Sequence, residues 1–551
     1  MMADASTRAA NTHRWGMVID LNRCVGCQTC TIACKHANDT LPGVQWRKVI
    51  DVETGTFPDV ERLFLVTGCQ HCAEPPCVPV CPTGATSQRA DGLVLQDYDI
   101  CIGCAYCAVS CPYQARTIAH DQLWYYGRET KQEQAVKHEE RLGVAQKCTF
   151  CKDRVDAGLE RGLKPGVDPE ATPACSAACI AQAIQFGDFK DPQSNVSQLV
   201  RDHPHFQLNA ELGTDPQIKY LYTTPAVPGR AAGASEADEE RLSDPSNPLV
   251  GQLQTFWDWR AAMNWIFGGI SSGMAVAAWL AGLAGIVPAQ RLPAAHLGAA
   301  LLMAVGLFFV FLKIGRKLRF WRAVSRPQTS WMTREIYAVA LFYAAVFANL
   351  LWPGAGISML AGLFALLFLF CQAKILHLAR GISAWRVAFV PRMIVASGLL
   401  EGVSLLTLML LWIEGFGALS PSLALAGLAL AALGLVALNA GLWAGYRARA
   451  AKNGIVPLSR RLIDRISLPL HLAGHAFPAA MFVLACAVPD IARACLGAGS
   501  IAALAGGTYW KFMLIARGGY QQGFSLPMLP QRGSGTRAAP ARWASQKSAN
   551  A

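Results

Sequence analysis

Sixteen of the 19 cysteines precede residue 180 and fall into four groups of four. The first and third groups have the spacing C-x2-C-x2-C-x3-C of bacterial ferredoxins, and Pro82 and Pro112 follow the fourth cysteine of the second and third groups. Such a loop can present three thiolates to one face of an iron–sulfur cube while the fourth cysteine starts a segment that points away, so motifs work in crossed pairs. Four motifs predict four 4Fe-4S clusters. The groups are Cys24, Cys27, Cys30 and Cys34; Cys69, Cys72, Cys77 and Cys81; Cys101, Cys104, Cys107 and Cys111; and Cys148, Cys151, Cys175 and Cys179.

Structural zinc and disulfide bonds are the alternative uses of so many cysteines. Zinc accounts for paired C-x2-C motifs but has no need of a third cysteine two residues later. Disulfides are disfavoured in a cytoplasmic domain, and eight of them would be unusual in a chain with a large core. The spacing favours clusters over both.

Charge divides the chain into two halves. Residues 1–261 contain 24 Lys and Arg against 32 Asp and Glu, whereas residues 262–551 contain 25 against 5. The net charge of +12 therefore comes from the second half, where the basic residues lie between long apolar runs. This pattern indicates membrane topology and argues against a nucleic-acid partner.

The second half contains eight apolar stretches long enough to cross a bilayer as helices. The cysteine-rich half has short β-prone runs between its motifs, which are typical of small ferredoxin units. The predicted fold class is thus an α+β ferredoxin-like iron–sulfur domain followed by an all-α transmembrane bundle of eight helices. The predicted spans are residues 263–287, 295–314, 335–353, 356–376, 393–413, 422–446, 471–489 and 493–514.

Composition also predicts the domain boundaries and the membrane topology. We predict an N-terminal extension at 1–14, a four-cluster ferredoxin domain at 15–224, a linker at 225–255 rich in Pro, Ala, Gly and acidic residues, an anchor at 256–524 and a disordered tail at 525–551. Every second loop of the anchor is crowded with Arg and Lys, and the N-terminus shows no apolar export signal. The expected location is a bacterial inner membrane, with the iron–sulfur domain on the cytoplasmic side.

Several motifs carry a resemblance to a known family. They are Cys72–Cys77 (CAEPPC), Tyr98–Cys104 (YDICIGC), Lys147–Cys151 (KCTFC) and Phe186–Asp188 (FGD). Over residues 15–222 the chain resembles the four-cluster ferredoxin subunit of the dimethyl sulfoxide reductase family of molybdoenzymes. This resemblance implies how the cysteines pair: Cys24, Cys27, Cys30 with Cys179; Cys148, Cys151, Cys175 with Cys34; Cys69, Cys72, Cys77 with Cys111; and Cys101, Cys104, Cys107 with Cys81.

The membrane half resembles the eight-helix anchor subunit of the same enzymes. The resemblance is carried by Lys313–Phe320 (KIGRKLRF) and Trp331–Ile336 (WMTREI), a segment that in the family helps to form the quinol site. The family commonly has His-Leu-Gly where this chain has Lys313-Ile314-Gly315, so its quinone-binding histidine is absent at that position. Glu335 matches the family's acidic residue.

A quinone site needs an apolar slot, hydrogen-bond partners for two carbonyls and a route for two protons, and polar residues at helix ends can supply these. An intramembrane Glu401 is functional by default unless it pairs with a neighbour. Snorkelling at the interface is the alternative for lysines such as Lys313, Lys374 and Lys511, and a packed pair is the alternative for His471 and His475. Because these two histidines share one helix at one membrane edge, no haem b is predicted. The candidate quinone residues are Lys313, Glu335, Glu401, His377 and His475.

The function predicted from these observations is membrane-bound electron transfer between the quinone pool and a separate molybdopterin catalytic subunit. The expected partners are that subunit, membrane lipid and quinone; no catalytic residue is assigned. Two alternatives stay open: a proton-translocating redox module similar to polysulfide reductase, and a membrane-tethered ferredoxin without a quinone site.

Overall fold

The computed structural model describes residues 13–56, 59–222, 244–413 and 421–524, and these form two compact units. One unit contains Met1–Gln252 together with Gln522–Ala551, and the other contains Leu253–Gln521. Most of the predicted extension, the predicted linker up to residue 243 and the predicted tail lie outside the described residues. Residues 522–524, predicted to end the anchor, belong to the first unit, where the Phe524 amide donates to the Leu249 carbonyl at 2.9 Å.

The strands of the first unit form one four-stranded sheet and three hairpins. The sheet has the order β8-β1-β10-β9, with β1 and β10 parallel and the other two pairs antiparallel. Strands β2 and β3, β4 and β5, and β6 and β7 form the hairpins. The bounds are β1 Trp15–Asp20, β2 Arg47–Thr56, β3 Asp59–Gly68, β4 Thr86–Gln88, β5 Val94–Gln96, β6 Thr117–Ile118, β7 Ala145–Gln146, β8 Ile184–Asp188, β9 His205–Phe206 and β10 Ile218–Leu221.

The helices of the first unit are short, and four of them begin inside or directly beside the cysteine motifs. Their bounds are α1 Thr29–Ala37, α2 Tyr106–Val109, α3 Lys131–Ala135, α4 Lys152–Glu160, α5 Ala174–Ala177 and α6 Asn195–Asp202. The core combines sheet residues such as Met17, Phe186 and Tyr220 with cysteines from several motifs. The cysteine loops are therefore part of the core itself.

The second unit is helical throughout, apart from two isolated β-bridges among its described residues. Eight of its helical segments are long and apolar enough to cross a membrane, as predicted. Nine α-helices make up these eight spans, because α13 and α14 together form the seventh. Their bounds are α7 Trp259–Leu283, α8 Leu292–Lys313, α9 Trp331–Leu351, α10 Ala355–His377, α11 Phe389–Ile413, α12 Pro421–Ala448, α13 Pro457–Pro469, α14 Phe477–Ala487 and α15 Ala492–Phe512.

The seventh span differs from its predicted start at residue 471. Helix α13 begins at Pro457 and continues through a π-helical turn, Leu470–Ala476, into α14. Proline has no backbone N–H, so one hydrogen bond of the helix is missing near Pro469. A missing bond of this kind accommodates the wider π-helical turn that follows. The basic residues Arg460, Arg461 and Arg465, predicted to lie in a loop, are therefore helical.

Helix α7 packs against α8, α10, α11 and α15. Its crossing with α11 depends on glycine, because a Cβ at Gly402 would meet the backbone of Gly273 and a Cβ at Gly273 would meet the Gly398 carbonyl. In a bilayer, close backbone approach of this kind supplies packing energy that a water-driven hydrophobic effect cannot. This crossing holds the polar groups described below in fixed positions.

Candidate functional site

The two C-x2-C-x2-C loops have the same backbone conformation. Gly26 (φ 70°) and Gln28 (φ 63°) in the first loop correspond to Gly103 (φ 70°) and Ala105 (φ 64°) in the second. Successive residues of alternating hand turn their N–H groups toward one side, which makes a concavity suited to an anionic group such as an iron–sulfur cluster. Helices α1 and α2 then begin directly after these left-handed residues.

Two sets of four cysteines each line one cavity. Cys24, Cys27 and Cys30 share a small cavity of about 20 Å³ with Cys179, which lies near the C-terminal end of the domain sequence. A second cavity, of about 10 Å³, is lined by Cys81 together with Cys101, Cys104 and Cys107. In both sets three cysteines come from one loop and the fourth comes from another motif.

The remaining eight cysteines divide into two further sets. Asn38 brings two of them together, because its Nδ2 lies 3.8 Å from Cys34 Sγ and 3.7 Å from Cys151 Sγ. Burial, followed by the charges of Cys148 and Cys175, raises the pKa of Cys34. Cys34 thus belongs with the fourth motif.

The third set surrounds Cys72. Burial, followed by the charges of Cys69, Cys77 and Cys111, raises the pKa of Cys72. The cysteines that share each of the two cavities are the ones that the family resemblance groups together.

Among the described residues, no group of three or more His, Cys, Asp or Glu side chains is arranged to hold a single metal ion. Burial raises the pKa of Cys107 to about 12 and that of Cys175 to about 11, so cluster binding must displace their protons.

The polar candidate residues of the membrane unit lie at several helix interfaces. At the first, Glu335 on α9 lies beside the amide of Gln372 on α10, whose Nε2 donates to the Asn264 carbonyl of α7 at 3.1 Å. Trp265 Nε1 donates to the Gln372 carbonyl at 3.1 Å. The Glu335 Oε1, Gln372 Oε1 and Asn264 Oδ1 atoms are all buried without a hydrogen-bond partner.

An aromatic group continues this interface toward the end of α8. Lys313 Nζ lies 5.7 Å from the ring centroid of Trp257. The Trp257 ring is tilted against that of Trp265 at a centroid distance of 5.2 Å and stacks on that of Trp385 at 5.8 Å. Lys313 is 9% exposed, so packing holds its ammonium against the indole ring. We call Lys313, Trp257, Trp265, Gln372, Asn264 and Glu335 the polar–aromatic cluster.

The second interface holds a buried ion pair. Lys511 Nζ on α15 lies 2.6 Å from Glu401 Oε2 on α11, and both residues are 0% exposed. Gly269 and Gly507 leave room for the pair, since a Cβ at either would contact it. Lys511 therefore does not snorkel to an interface; it pairs with the glutamate.

The histidine candidates lie at separate places. His475 Nδ1 is 3.4 Å from His471 Nδ1 in the π-helical turn, and Gly474 of the same turn packs against Gly506 of α15. His377 ends α10, and its Nδ1 is buried without a hydrogen-bond partner. The contacts thus divide the five predicted quinone residues between several interfaces, with Lys313 and Glu335 belonging to the polar–aromatic cluster.

Two groups of residues at these sites were not predicted from the sequence. Gln372 and Asn264 could have been noticed as amides inside otherwise apolar spans. Three buried cations of the first unit, Arg47, Arg116 and Lys147, gave no comparable signal, because a lysine or arginine in a hydrophilic domain is ordinarily exposed.

Comparison with known proteins agrees with both units. Residues 60–124 and 93–180 match two family models for 4Fe-4S dicluster domains, and residues 266–443 match the family model of the DMSO reductase anchor subunit. A selenate reductase subunit of Mesobacillus selenatarsenatis is 40% identical over 230 residues, which are 39% of this chain and 75% of that protein.

Two further relatives are covered over nearly their whole length. The putative dimethyl sulfoxide reductase iron-sulfur subunit of Halobacterium salinarum is 35% identical over 260 residues, 44% of this chain and 94% of the relative. The arsenate respiratory reductase iron-sulfur subunit of a Shewanella species is 38% identical over 236 residues, 38% of this chain and 96% of the relative.

Proposed function

Because this chain belongs to the family of iron–sulfur and anchor subunits of dimethyl sulfoxide reductase-type enzymes, we propose that it exchanges electrons between membrane quinone and a separate molybdopterin catalytic subunit. It is a multi-pass membrane protein of electron transfer. The observation that carries the proposal is a domain in which cysteines of different motifs gather in sets of four, as in its two cysteine-lined cavities, followed in the same chain by eight helices long and apolar enough to cross a membrane.

Each set holds one 4Fe-4S cluster in this proposal, and the clusters supply reversible one-electron transfer. The chain itself contributes the thiolates, the loop N–H groups and an apolar core that excludes water. Quantitative EPR of the dithionite-reduced protein, with iron and acid-labile sulfide analysis, should give four clusters per chain. Three or fewer in fully loaded protein would contradict the assignment.

The polar–aromatic cluster is the proposed quinone site. Its orphan carboxylate and amide oxygens are acceptors that a quinol hydroxyl can donate to, and Gln372 and Lys313 supply donors for a quinone carbonyl. The tryptophan rings offer an aromatic, largely apolar surface beside these groups. Glu335 can take up or release the proton that accompanies each electron.

Substitution separates this site from the other candidates. Glu335→Gln should slow electron exchange with a quinone analogue at least tenfold while leaving cluster content unchanged. The matched variant Asp490→Asn, in an exposed turn between spans, should behave as wild type. If His475→Ala, rather than Glu335→Gln, abolished the exchange, the π-helical turn would be the site instead.

The catalytic partner and the membrane side also belong to the proposal. Relatives named as subunits of selenate, dimethyl sulfoxide and arsenate reductases support a molybdopterin partner, which copurification should reveal. The basic loops support a cytoplasmic iron–sulfur domain in a bacterial inner membrane. A phosphatase that is active only after export, fused after residue 551, should therefore be inactive. An active fusion would contradict the cytoplasmic side.

Proton translocation is a second candidate function, favoured by the Glu401–Lys511 pair at the centre of the bundle. Glu401 is the middle residue of α11, so a proton held there would lie midway across the membrane. In liposomes containing the complete complex, Glu401→Gln should remove quinone-driven proton uptake without stopping electron transfer. Equal proton uptake in wild type and variant would leave the pair with a structural role only.

A further inference from the structure

Three basic side chains are buried in the described part of the iron–sulfur domain, each among cysteines of two different sets. We number the sets by one member each: the first contains Cys24, the second Cys34, the third Cys72 and the fourth Cys81. Arg47 and Lys147 are 0% exposed and Arg116 is 4% exposed. Burying a charge without a partner costs several kcal/mol, on the order of the net stability of a domain. Their retention in one domain calls for a partner of opposite charge.

Arg47, on β2, lies between the first two sets. The charges that act on it most strongly, after burial, are those of Cys175, Cys148 and Cys34, and it also acts on Cys30 of the neighbouring set. Its Nη2 contacts Met17 Sδ at 3.2 Å. The other two nitrogens, Nε and Nη1, are buried without a hydrogen-bond partner.

Lys147 lies between the second and third sets. Its Nζ donates to the carbonyl of Cys148 at 2.7 Å and to the carbonyl of Val94. The cysteines that act on it are Cys69 and Cys77 of one set and Cys148 of the other.

Arg116 lies between the third and fourth sets. Its Nη1 donates to Thr86 Oγ1 at 3.1 Å and to Gln96 Oε1 at 2.9 Å, while Nη2 is buried without a partner. Cys77, Cys69 and Cys111 of the third set and Cys107 of the fourth act on it.

These placements put the four sets in one linear order and a cation at every junction. The order runs from the set of Cys24 to that of Cys34, then to that of Cys72 and finally to that of Cys81. We propose that Arg47, Lys147 and Arg116 are positioning residues for electron transfer, each of which raises the reduction potential of the two clusters beside it. This proposal rests on the four clusters of the proposed function.

The physical reason is the charge of the clusters. A cube with four thiolate ligands is an anion, and it gains one further negative charge when it accepts an electron. In a dry core, a fixed cation stabilises the reduced form more than the oxidised form, because attraction grows with charge and is little screened. The same cation therefore stabilises the reduced form of both the donor cluster and the acceptor cluster. No proton needs to move with the electron between them.

The unpartnered guanidinium nitrogens distinguish this role from a purely structural one. Buried N–H groups in proteins are nearly always paired, so orphans point to a group outside the polypeptide. Arg47 Nε and Nη1 and Arg116 Nη2 are orphans of this kind, and the charged groups that act on these two arginines include cysteines of the adjoining sets. The sulfur atoms of a cluster are the acceptors that fit.

EPR-monitored redox titration of the complete protein tests the proposal, since it reports each cluster separately and needs no catalytic turnover. Arg47→Met should make the first two clusters harder to reduce by at least tenfold in equilibrium constant, about 59 mV for a one-electron couple, and leave the other two unchanged. Lys147→Met should shift the middle two and Arg116→Met the last two. Arg47→Lys should retain most of the wild-type potential, and the exposed Arg201→Met should change nothing.

The possible failures are distinguishable. Fewer than four clusters in the wild type would refute the proposed function, whereas four clusters with potentials unmoved by all three substitutions would refute only the role of the cations. If Arg47→Met fails to assemble, Lys147→Gln and Arg116→Gln, which also remove a charge, provide the same comparison at the other junctions. Loss of clusters in Arg47→Lys as well as Arg47→Met would assign Arg47 a role of shape and overturn its electrostatic role.

Discussion

At the scale of residues, the chemistry of this protein depends on buried groups whose partners come from distant parts of the chain. Cys179 lines a cavity with Cys24, and Lys511 pairs with Glu401 across 110 positions. The cysteine spacing predicted thiolate ligands. It did not predict which motifs share a cluster, because the spacing within one motif does not determine which other motif lies beside it; that grouping came only from the family resemblance. The lysine–glutamate pair was not predictable for the same reason, since one sequence does not say which helices touch.

The shared cavity of Cys24 and Cys179 predicts that substitution of either cysteine removes the same cluster. Cys24→Ser and Cys179→Ser should each abolish, or convert to a three-iron form, one and the same EPR signal, because each would remove one of four thiolates. Cys371→Ser, a buried cysteine of the membrane unit, is the control and should keep all signals. Loss of two different signals would contradict the pairing.

The ion pair of the bundle predicts strong non-additivity. Lys511→Met alone should destabilise the membrane unit by about 3–5 kcal/mol, because it leaves the Glu401 carboxylate buried and unpaired. Adding Glu401→Gln should restore most of that loss. Thermal unfolding in detergent, followed by tryptophan fluorescence, measures both; additive losses would mean that the two residues do not interact.

At the scale of elements, left-handed loop residues and close glycine crossings position the sites. Hydropathy predicted all eight spans, but it predicted too late a start for the seventh. The arginines of α13 lower the local hydropathy, so this helical segment was assigned to a loop. The apolar face of an amphipathic helix such as α13 is stabilised by the helices that pack against it. Local composition does not show which helices those are. The glycine contacts of α7 with α11 are likewise tertiary.

The crossing of α7 and α11 yields a stability prediction with a matched control. Gly402→Ala should destabilise the membrane unit by about 1–3 kcal/mol, since the new methyl group would meet the backbone of Gly273. Gly434→Ala, on α12 with nothing within 4 Å, should be neutral or slightly stabilising. Equal melting temperatures for the two variants in detergent would show that the helices cross differently.

At the scale of the whole molecule, the chain joins a hydrophilic iron–sulfur domain to an apolar anchor as two compact units. The uneven distribution of charge along the sequence predicted these two units. Acidic residues are concentrated in the first half, and basic residues flank the apolar spans of the second. The first unit has many of its cysteines in its core, whereas the cores of the second are formed by packed apolar helices.

This division predicts separate responses to iron removal. Chelation under reducing conditions should expose residues 13–222 to limited proteolysis, because the core of that unit includes the cluster ligands. The helical circular dichroism of the anchor should persist. Simultaneous loss of both signals would indicate that the two units fold as one.

The central claim, that this chain connects quinone in the membrane to iron–sulfur clusters, is tested most directly by rapid reoxidation. Protein in liposomes is reduced with dithionite, freed of excess reductant and mixed with a lipid-soluble quinone analogue, while cluster absorbance is followed by stopped flow. We expect fast reoxidation in the wild type and in Asp490→Asn, and at least tenfold slower reoxidation in Glu335→Gln. Reoxidation at the same rate in all three, or none in the wild type, would contradict it.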